Sequence, residues 1–435
     1  MSNGSQLNNK NHRTFAQTPP MGWNSWDCYG AAVKEEEVRA NADYMAQHLK
    51  EYGWDYVVVD IQWYEPGANS SLYRPFVPLE MDEYSRLMPA ANRFPSAANG
   101  NGFKELAKYV HDLGLKFGIH IMRGIPRQAV HANTALLGTN VRARDIAHPN
   151  SICPWNTDMY GVDASKEGAQ EYYDSLFQMY AEWGVDFIKV DDIAASRLYH
   201  VHLPEIELIR KAIDKCGRDI VLSLSPGPAP VEHAEELKAN ANMWRMTDDF
   251  WDKWELLHDM FDRCERWYSH VQPGNWPDCD MLPLGHIGIR SVDGGGSDRW
   301  TRFTKDEQVT MMTLWSIFRS PLMFGGELRD NDEWTLSLLT NAEVLSMHQN
   351  SHSAKLVSRQ DDKIVWMAND DNGNTYVALF NASEEETSVS VTLDELGLTS
   401  AMNARDLWKG EEVGLINDKI EQTIPVHGAM LFKLY

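Results

Sequence analysis

Short apolar runs alternate with amphipathic stretches from about residue 21 to about residue 324. Tyr56-Val57-Val58-Val59, Lys116-Phe117-Gly118-Ile119-His120-Ile121-Met122, Phe187-Ile188-Lys189-Val190 and Ile220-Val221-Leu222-Ser223-Leu224 are too short for helices and rich in β-branched residues, so they read as strands. Further strands are expected near Met21-Gly22-Trp23, at 243–248, near 278–282 and near 320–324. Between the strands, Val38, Ala42, Met45 and Leu49 recur on one face of a helix over about 34–52, and Gly53 stops it. Other helices are expected at about 101–113, 166–183, 203–215 and 252–268. Thr304-Lys305-Asp306-Glu307 has the form of a capping box that opens another. Strand and helix alternating in series predict an α/β fold, a (β/α)8 TIM barrel over residues 1–348 rather than an open sheet. Beyond about residue 350 the period changes. Lys363–Ala368, Thr375–Phe380, Ser388–Thr392 and Gly428–Leu434 are short strands, and turn signals such as Asn369-Asp370-Asp371-Asn372-Gly373 fall between them. They predict a C-terminal antiparallel β-sandwich over 349–435. No repeat at solenoid or propeller spacing is present.

Three of the barrel runs end in acid: Val59-Asp60, Val190-Asp191-Asp192 and Met246-Thr247-Asp248-Asp249. An acid that ends a barrel strand stands at the face where such barrels carry their chemistry. Side chains alternate along a strand, so Lys189 and Asp191 share a face and Asp192 points away. On the same count Arg245, Thr247 and Asp249 share a face and Asp248 points away. Asp192 and Asp248 then read as bracing or helix-capping groups. Two converging carboxylates, one ionised and one protonated, divide a proton-transfer task. Lys189 beside Asp191 favours the ionised form and suits a nucleophile. The Trp- and Met-rich run before Asp249 favours the protonated form and suits a general acid/base. Parity alone leaves the two roles exchangeable.

Charge narrows the partner. Forty Lys and Arg against 63 Asp and Glu leave a net charge of −23, which repels nucleic acid and anionic lipid. A small neutral partner fits, and sixteen Trp, several near the acids, supply flat faces for sugar-like ligands as well as core packing. Five cysteines without CxxC spacing, a polar N-terminus and no membrane-length apolar run give a cytoplasmic expectation, with room for a homo-oligomer. Gly294-Gly295-Gly296 lacks the ending of a phosphate loop. His120, on a strand near the acids, is a candidate substrate contact. Asp278 and Asp280 could join Asp191 and Asp249 around a divalent cation, which would make a metal-dependent lyase or isomerase. The inward Lys189 and Arg245 already neutralise those acids and argue against it. A non-catalytic sugar-binding module is disfavoured by the doubled acids. No cofactor motif is found.

These motifs resemble glycoside hydrolase family 27, the α-galactosidase family. Met21-Gly22-Trp23-Asn24-Ser25-Trp26 is similar to its opening motif, and Phe187-Ile188-Lys189-Val190-Asp191 to its nucleophile strand. Arg245 with Asp249 resembles its acid/base motif. Trp276-Pro277-Asp278-Cys279-Asp280-Met281-Leu282 and Leu314-Trp315-Ser316-Ile317-Phe318-Arg319-Ser320-Pro321-Leu322 also match in register. The resemblance implies a retaining exo-glycosidase that needs no metal or cofactor. Asp191 would be the nucleophile and Asp249 the acid/base, with Trp26, Asp60, Lys189 and Arg245 lining the sugar pocket and a glycoside or small oligosaccharide as substrate.

The chain departs from that pattern at three places. The family's second strand normally ends in two aspartates that hold the galactose 4- and 6-hydroxyls; here the pair is Asp60-Ile61. The glutamate that commonly reads the 2-hydroxyl falls at Ser225, and the tyrosine of strand three at His120. An isoleucine cannot accept a hydrogen bond from a 6-hydroxyl, and a buried hydroxyl without a partner costs about 1–3 kcal/mol. β-L-Arabinopyranose has the ring stereochemistry of α-D-galactopyranose and lacks the hydroxymethyl group. The expected activity is therefore β-L-arabinopyranosidase with weaker α-galactosidase activity; α-galactosidase proper is the alternative.

Overall fold

The computed structural model describes residues 11–196, 200–291 and 296–435. Eight parallel strands form one curled sheet: β1 (Met21–Asn24), β2 (Tyr56–Val59), β3 (Lys116–Met122), β4 (Phe187–Asp191), β5 (Val221–Leu224), β6 (Met243–Arg245), β7 (Trp276–Asp278) and β8 (Leu322–Phe324). Their order is β7-β6-β5-β4-β3-β2-β1-β8. The two ends of that order meet. Leu282 N–H donates to the Met323 carbonyl at 2.8 Å, and Gly325 N–H donates to the Leu282 carbonyl at 3.0 Å, closing the ring.

The helices stand where the apolar spacing places them. Glu35–His48 is followed by a 3₁₀ turn at Lys50–Tyr52 and stopped by Gly53, whose φ of 95° suits a residue without Cβ. Ala169–Trp183, Leu203–Lys215 and Trp254–Trp267 follow their expected bounds closely. The box at Thr304 is formed: its Oγ1 accepts from Glu307 N–H, and Glu307 Oε2 accepts from Thr304 N–H. The seventh strand corrects the expectation of 278–282. It runs from Trp276 and ends at Asp278, because Asp280 turns the chain at φ 76° and returns its N–H to Asp278 Oδ1.

Alternation along these strands builds the site. Val57, Val59, Ile188, Val190, Leu222 and Trp244 face outward into the main core under the helices. Tyr56, Val58, Phe187, Val221, Met243 and Trp276 form a separate apolar cluster. One step up from that cluster on the same faces come Asp60, Lys189, Ser223, Arg245 and Asp278. Gly118 shares this crowded interior, where a Cβ would stand 3.0 Å from both Phe187 Cβ and Val58 Cγ2. The charged layer thus rests on a packed floor, as barrels of this kind require.

The C-terminal part is an antiparallel β-sandwich. Strands β9 (His352–Gln360), β10 (Lys363–Asn369), β11 (Thr375–Asn381), β12 (Thr387–Thr392), β13 (Met402–Asp406), β14 (Glu411–Ile416), β15 (Lys419–Ile424) and β16 (Ala429–Leu434) form a six-stranded sheet, β9-β10-β11-β16-β13-β14, and a two-stranded one, β12-β15. Their inner faces share Val365, Val377, Leu379, Val391, Ile420 and Ile424. The sandwich is fastened to the barrel by Trp254 stacked on His427 at 3.6 Å and by Trp408 Nε1 donating to Thr313 Oγ1 at 2.8 Å. Among the described residues no helix is long and apolar enough to cross a membrane, and the five cysteines are buried free thiols. Gly294 and Gly295 of the glycine run lie outside the described residues.

Candidate active site

A cavity of about 360 Å³ opens at the C-terminal ends of the barrel strands. Trp26, Asp60, Ile61, Lys189, Asp191, Arg245 and Asp249, all named from the sequence, line it together.

Asp191 ends β4, and its two carboxylate oxygens have separate donors. Asp192 N–H donates to Oδ1 at 2.9 Å, and His120 Nε2 donates to Oδ2 at 3.0 Å. Burial opposes the charge on Asp191. The hydrogen bond and charge of His120, with Lys189 beyond, more than offset it and hold the carboxyl well below the usual range. The peptide after Asp191 is gripped from behind. Arg123 N–H donates to the Asp191 carbonyl at 3.0 Å and Arg123 Nε to the Asp192 carbonyl at 2.7 Å, while its guanidinium pairs with the Asp192 and Glu205 carboxylates at 3.0 Å each. Asp192 therefore braces the loop, as alternation predicts.

Asp60 is buried and accepts from Lys189 Nζ at 2.9 Å and from Asn24 Nδ2 at 2.8 Å. Burial disfavours its charge, but Lys189 and His120 keep it below the usual range. Lys189 feels the reverse: burial lowers its pKa, and Asp60 and Asp191 raise it above the ordinary value, so it stays an ammonium.

Across the cavity, Arg245 Nη2 reaches Asp249 Oδ1 and Asp280 Oδ2, each at 3.0 Å. Two expectations about Asp249 are corrected. Strand β6 ends at Arg245, so alternation does not extend to 247–249, and Asp248 lines the cavity too. The Asp249 side chain is not in apolar surroundings: it is 58% exposed and paired with Arg245. Behind this pair stand buried acids. Burial, and then Asp280, push Asp278 up to about 7; burial also raises Asp280 against the pull of Arg245; burial and Asp280 raise Asp27 well above its usual range. Of the acids of the metal alternative, Asp249 and Asp280 pair with Arg245, Asp278 accepts from Asp280 N–H, and Asp191 is held by His120; among the described residues no group of three or more His, Cys, Asp or Glu is placed to hold a cation.

His120 and Ser225 do not line the cavity. His120 is fully buried and acts on Asp191 rather than on a ligand. Ser225 is buried with its carbonyl accepting from Ile193 and Ala194 N–H, and Pro226 takes the place at the wall. Sequence reasoning missed Asp27, Leu72, Tyr73 and Trp155 at the wall, whereas Trp251, one of the Trp residues read as lying near the acids, does line it. Asp27 adjoins Trp26 in the opening motif, so that motif was a usable signal. The others sit on long loops without any period.

The family model described as alpha galactosidase A matches residues 18–164 and 158–350, and the alpha galactosidase C-terminal beta sandwich domain matches residues 360–434. The crystal structure of a family 27 β-L-arabinopyranosidase from Geobacillus stearothermophilus is 71% identical over 97% of this chain and 97% of its own, with a TM-score of 0.97. A variant of that enzyme, solved in complex with arabinose, is 70% identical over 98% of both chains, with a TM-score of 0.97. Alpha-galactosidase 2 of Arabidopsis thaliana is 27% identical over 97% of this chain and 90% of its own. With these matches spanning both the barrel and the sandwich, the chain belongs to glycoside hydrolase family 27, the α-galactosidase family.

Proposed function

We propose that this glycoside hydrolase is a retaining exo-glycosidase that removes terminal β-L-arabinopyranosyl units from glycosides or short oligosaccharides, with weaker action on α-D-galactosides. Asp191 attacks the anomeric carbon as Asp249 protonates the departing oxygen. Asp249 then takes a proton from water, which hydrolyses the glycosyl ester and restores the original configuration. The ionised state of Asp191 supports its role as nucleophile. The exposure of Asp249 supports exchange of its proton with leaving group and water. Lys189 and Asp60 hold ring hydroxyls, and Arg245 steadies Asp249. We put the division between barrel and sandwich at 348/349.

The observation that carries the substrate is Ile61. It is 2% exposed, lines the cavity beside Asp60, and stands where the family's second aspartate would accept the 6-hydroxyl. The likeness to the Geobacillus arabinopyranosidase supports the same reading. The name of the Arabidopsis relative favours α-galactosidase as the second reading.

Three experiments test this. The ratio of kcat/KM on p-nitrophenyl β-L-arabinopyranoside to that on p-nitrophenyl α-D-galactopyranoside should exceed one; a ratio below one selects the second reading. Asp191→Gly should abolish turnover and regain it with azide, giving an inverted product. Asp249→Ala should slow substrates with poor leaving groups far more than aryl ones.

A further inference from the structure

The residues that hold the sugar occupy only part of the cavity. Its outer wall belongs to two loops that the reaction does not use. One carries Leu72 and Tyr73, the other Trp155. The Tyr73 ring lies between Trp26, 6.1 Å away at an interplanar angle of 24°, and Trp155, 5.6 Å away at 38°. The three rings therefore form a contiguous row along the cavity wall. Leu72, which also lines the cavity, is a large apolar side chain that is 67% exposed.

This row is built, not accidental. Phe76 N–H donates to Thr157 Oγ1 at 2.8 Å, tying the two loops together just beyond Tyr73 and Trp155. Arg127 Nε donates to the Thr157 carbonyl at 2.9 Å, and its guanidinium lies over both Phe76 and Tyr160. At the base of the loop, Glu65 accepts from Arg74 Nη2 at 2.6 Å and from Gly67 N–H at 2.7 Å, and Ala31 N–H donates to the Ser70 carbonyl at 3.1 Å. Half-buried flat rings held in fixed positions bind flat apolar faces at little entropic cost.

We propose that Tyr73 and Trp155, with Leu72, form the binding site for the leaving group, and that it takes a pyranose ring by its C–H face. This rests on the exo-glycosidase reading above. The substrate is then a non-reducing terminal unit joined to a second pyranose that lies along the aromatic row.

The test compares substrates with and without that second ring. Tyr73→Ala and Trp155→Ala are assayed on a disaccharide of the terminal sugar linked to a pyranose and on the corresponding glycosyl fluoride. Each substitution should lower the ratio of kcat/KM, disaccharide over fluoride, by about tenfold, through loss of the apolar contact between the pyranose C–H face and the ring. A ratio that stays within about twofold of wild type in both variants overturns the proposal. The milder Trp155→Leu and Tyr73→Leu keep apolar volume, and the same ratio is read from them should the alanine variants misfold. If wild type cleaves galactosyl fluoride faster than arabinopyranosyl fluoride, the substrate reading fails, and the ratio is then measured on galactosides, so the two failures remain distinct. In wild type, a pyranoside acceptor should divert the glycosyl-enzyme to transfer product in a saturable way; strictly linear dependence on acceptor argues against a site.

Discussion

Replacing Ile61 by aspartate restores the acid pair of the family pattern and probes the specificity argument directly. Ile61 is almost wholly buried, and its N–H is already committed to Asp60 Oδ1 at 2.9 Å, so the backbone has no need to move. Two energies change. A galactoside gains a charged acceptor for its 6-hydroxyl in place of none. A hydrogen bond to a charged group contributes about 1.5–3 kcal/mol, equal to about 10- to 150-fold in rate. An arabinopyranoside loses apolar contact with the isoleucine. One or two methylene equivalents at about 0.8 kcal/mol each lower its rate about 4- to 15-fold. The new carboxylate stands next to Asp60, whose own charge is met by Lys189 and Asn24. Some of the gain is lost to that repulsion, and thermal stability should fall. Taken together, the ratio of arabinopyranoside to galactoside kcat/KM should drop by at least about tenfold. The assay is initial rates on the two p-nitrophenyl glycosides, with circular dichroism to show that the variant is folded. A folded variant whose ratio is unchanged, or rises, refutes the idea that position 61 selects against the hydroxymethyl group.

Further expectations concern the charged layer. His120→Leu removes the donor to Asp191 Oδ2, so the depressed carboxyl should rise and the acid limb of kcat/KM should move up by about 1–2 pH units, while His120→Gln, which keeps an N–H donor, should hold it lower; an unmoved limb in the leucine variant contradicts the role given to His120. Asp278 is raised to about 7 in the fold from an ordinary 3.8, so the folded protein keeps a proton that the unfolded chain has released. Stability from this group is greatest below about pH 4 and falls as pH rises towards 7. Asp278→Asn should therefore narrow the difference in Tm between pH 5 and pH 8, and a wider difference would count against the assignment.

Much of the barrel is legible because its physics is local. A strand that runs through an acid, as Phe187–Asp191 does, makes parity a sound guide, and Lys189, Asp191 and Asp192 point as alternation requires. Where the strand stops short, parity has no backbone to act on. That is why Asp248 turns to the cavity with Asp249, and why the surroundings of Asp249 differ from the apolar run before it. His120 was legible as a residue of the site but not as one that works through Asp191, since reach depends on a neighbouring strand. The sandwich was half visible. Thr375–Asn381 is buried along its length and stands out as an apolar run, whereas Glu411–Ile416 lies at an edge, largely exposed, with no pattern to read. Tyr73 and Trp155 meet where distant loops are tied at Thr157, a contact no periodicity encodes.

Seven of the joints around the ring are ladders of paired residues, but the eighth is a single bridge at Leu282. This slender seam runs beside the segment that carries Asp278 and Asp280. A transient parting there would admit water to those acids and let them ionise, and their charge would then resist re-closure. Opening at the seam should therefore grow easier as pH rises, and the amides of Leu282 and Gly325 should exchange deuterium soonest among the ring's inter-strand bonds. The barrel's narrowest closure thus adjoins the acids that it hides.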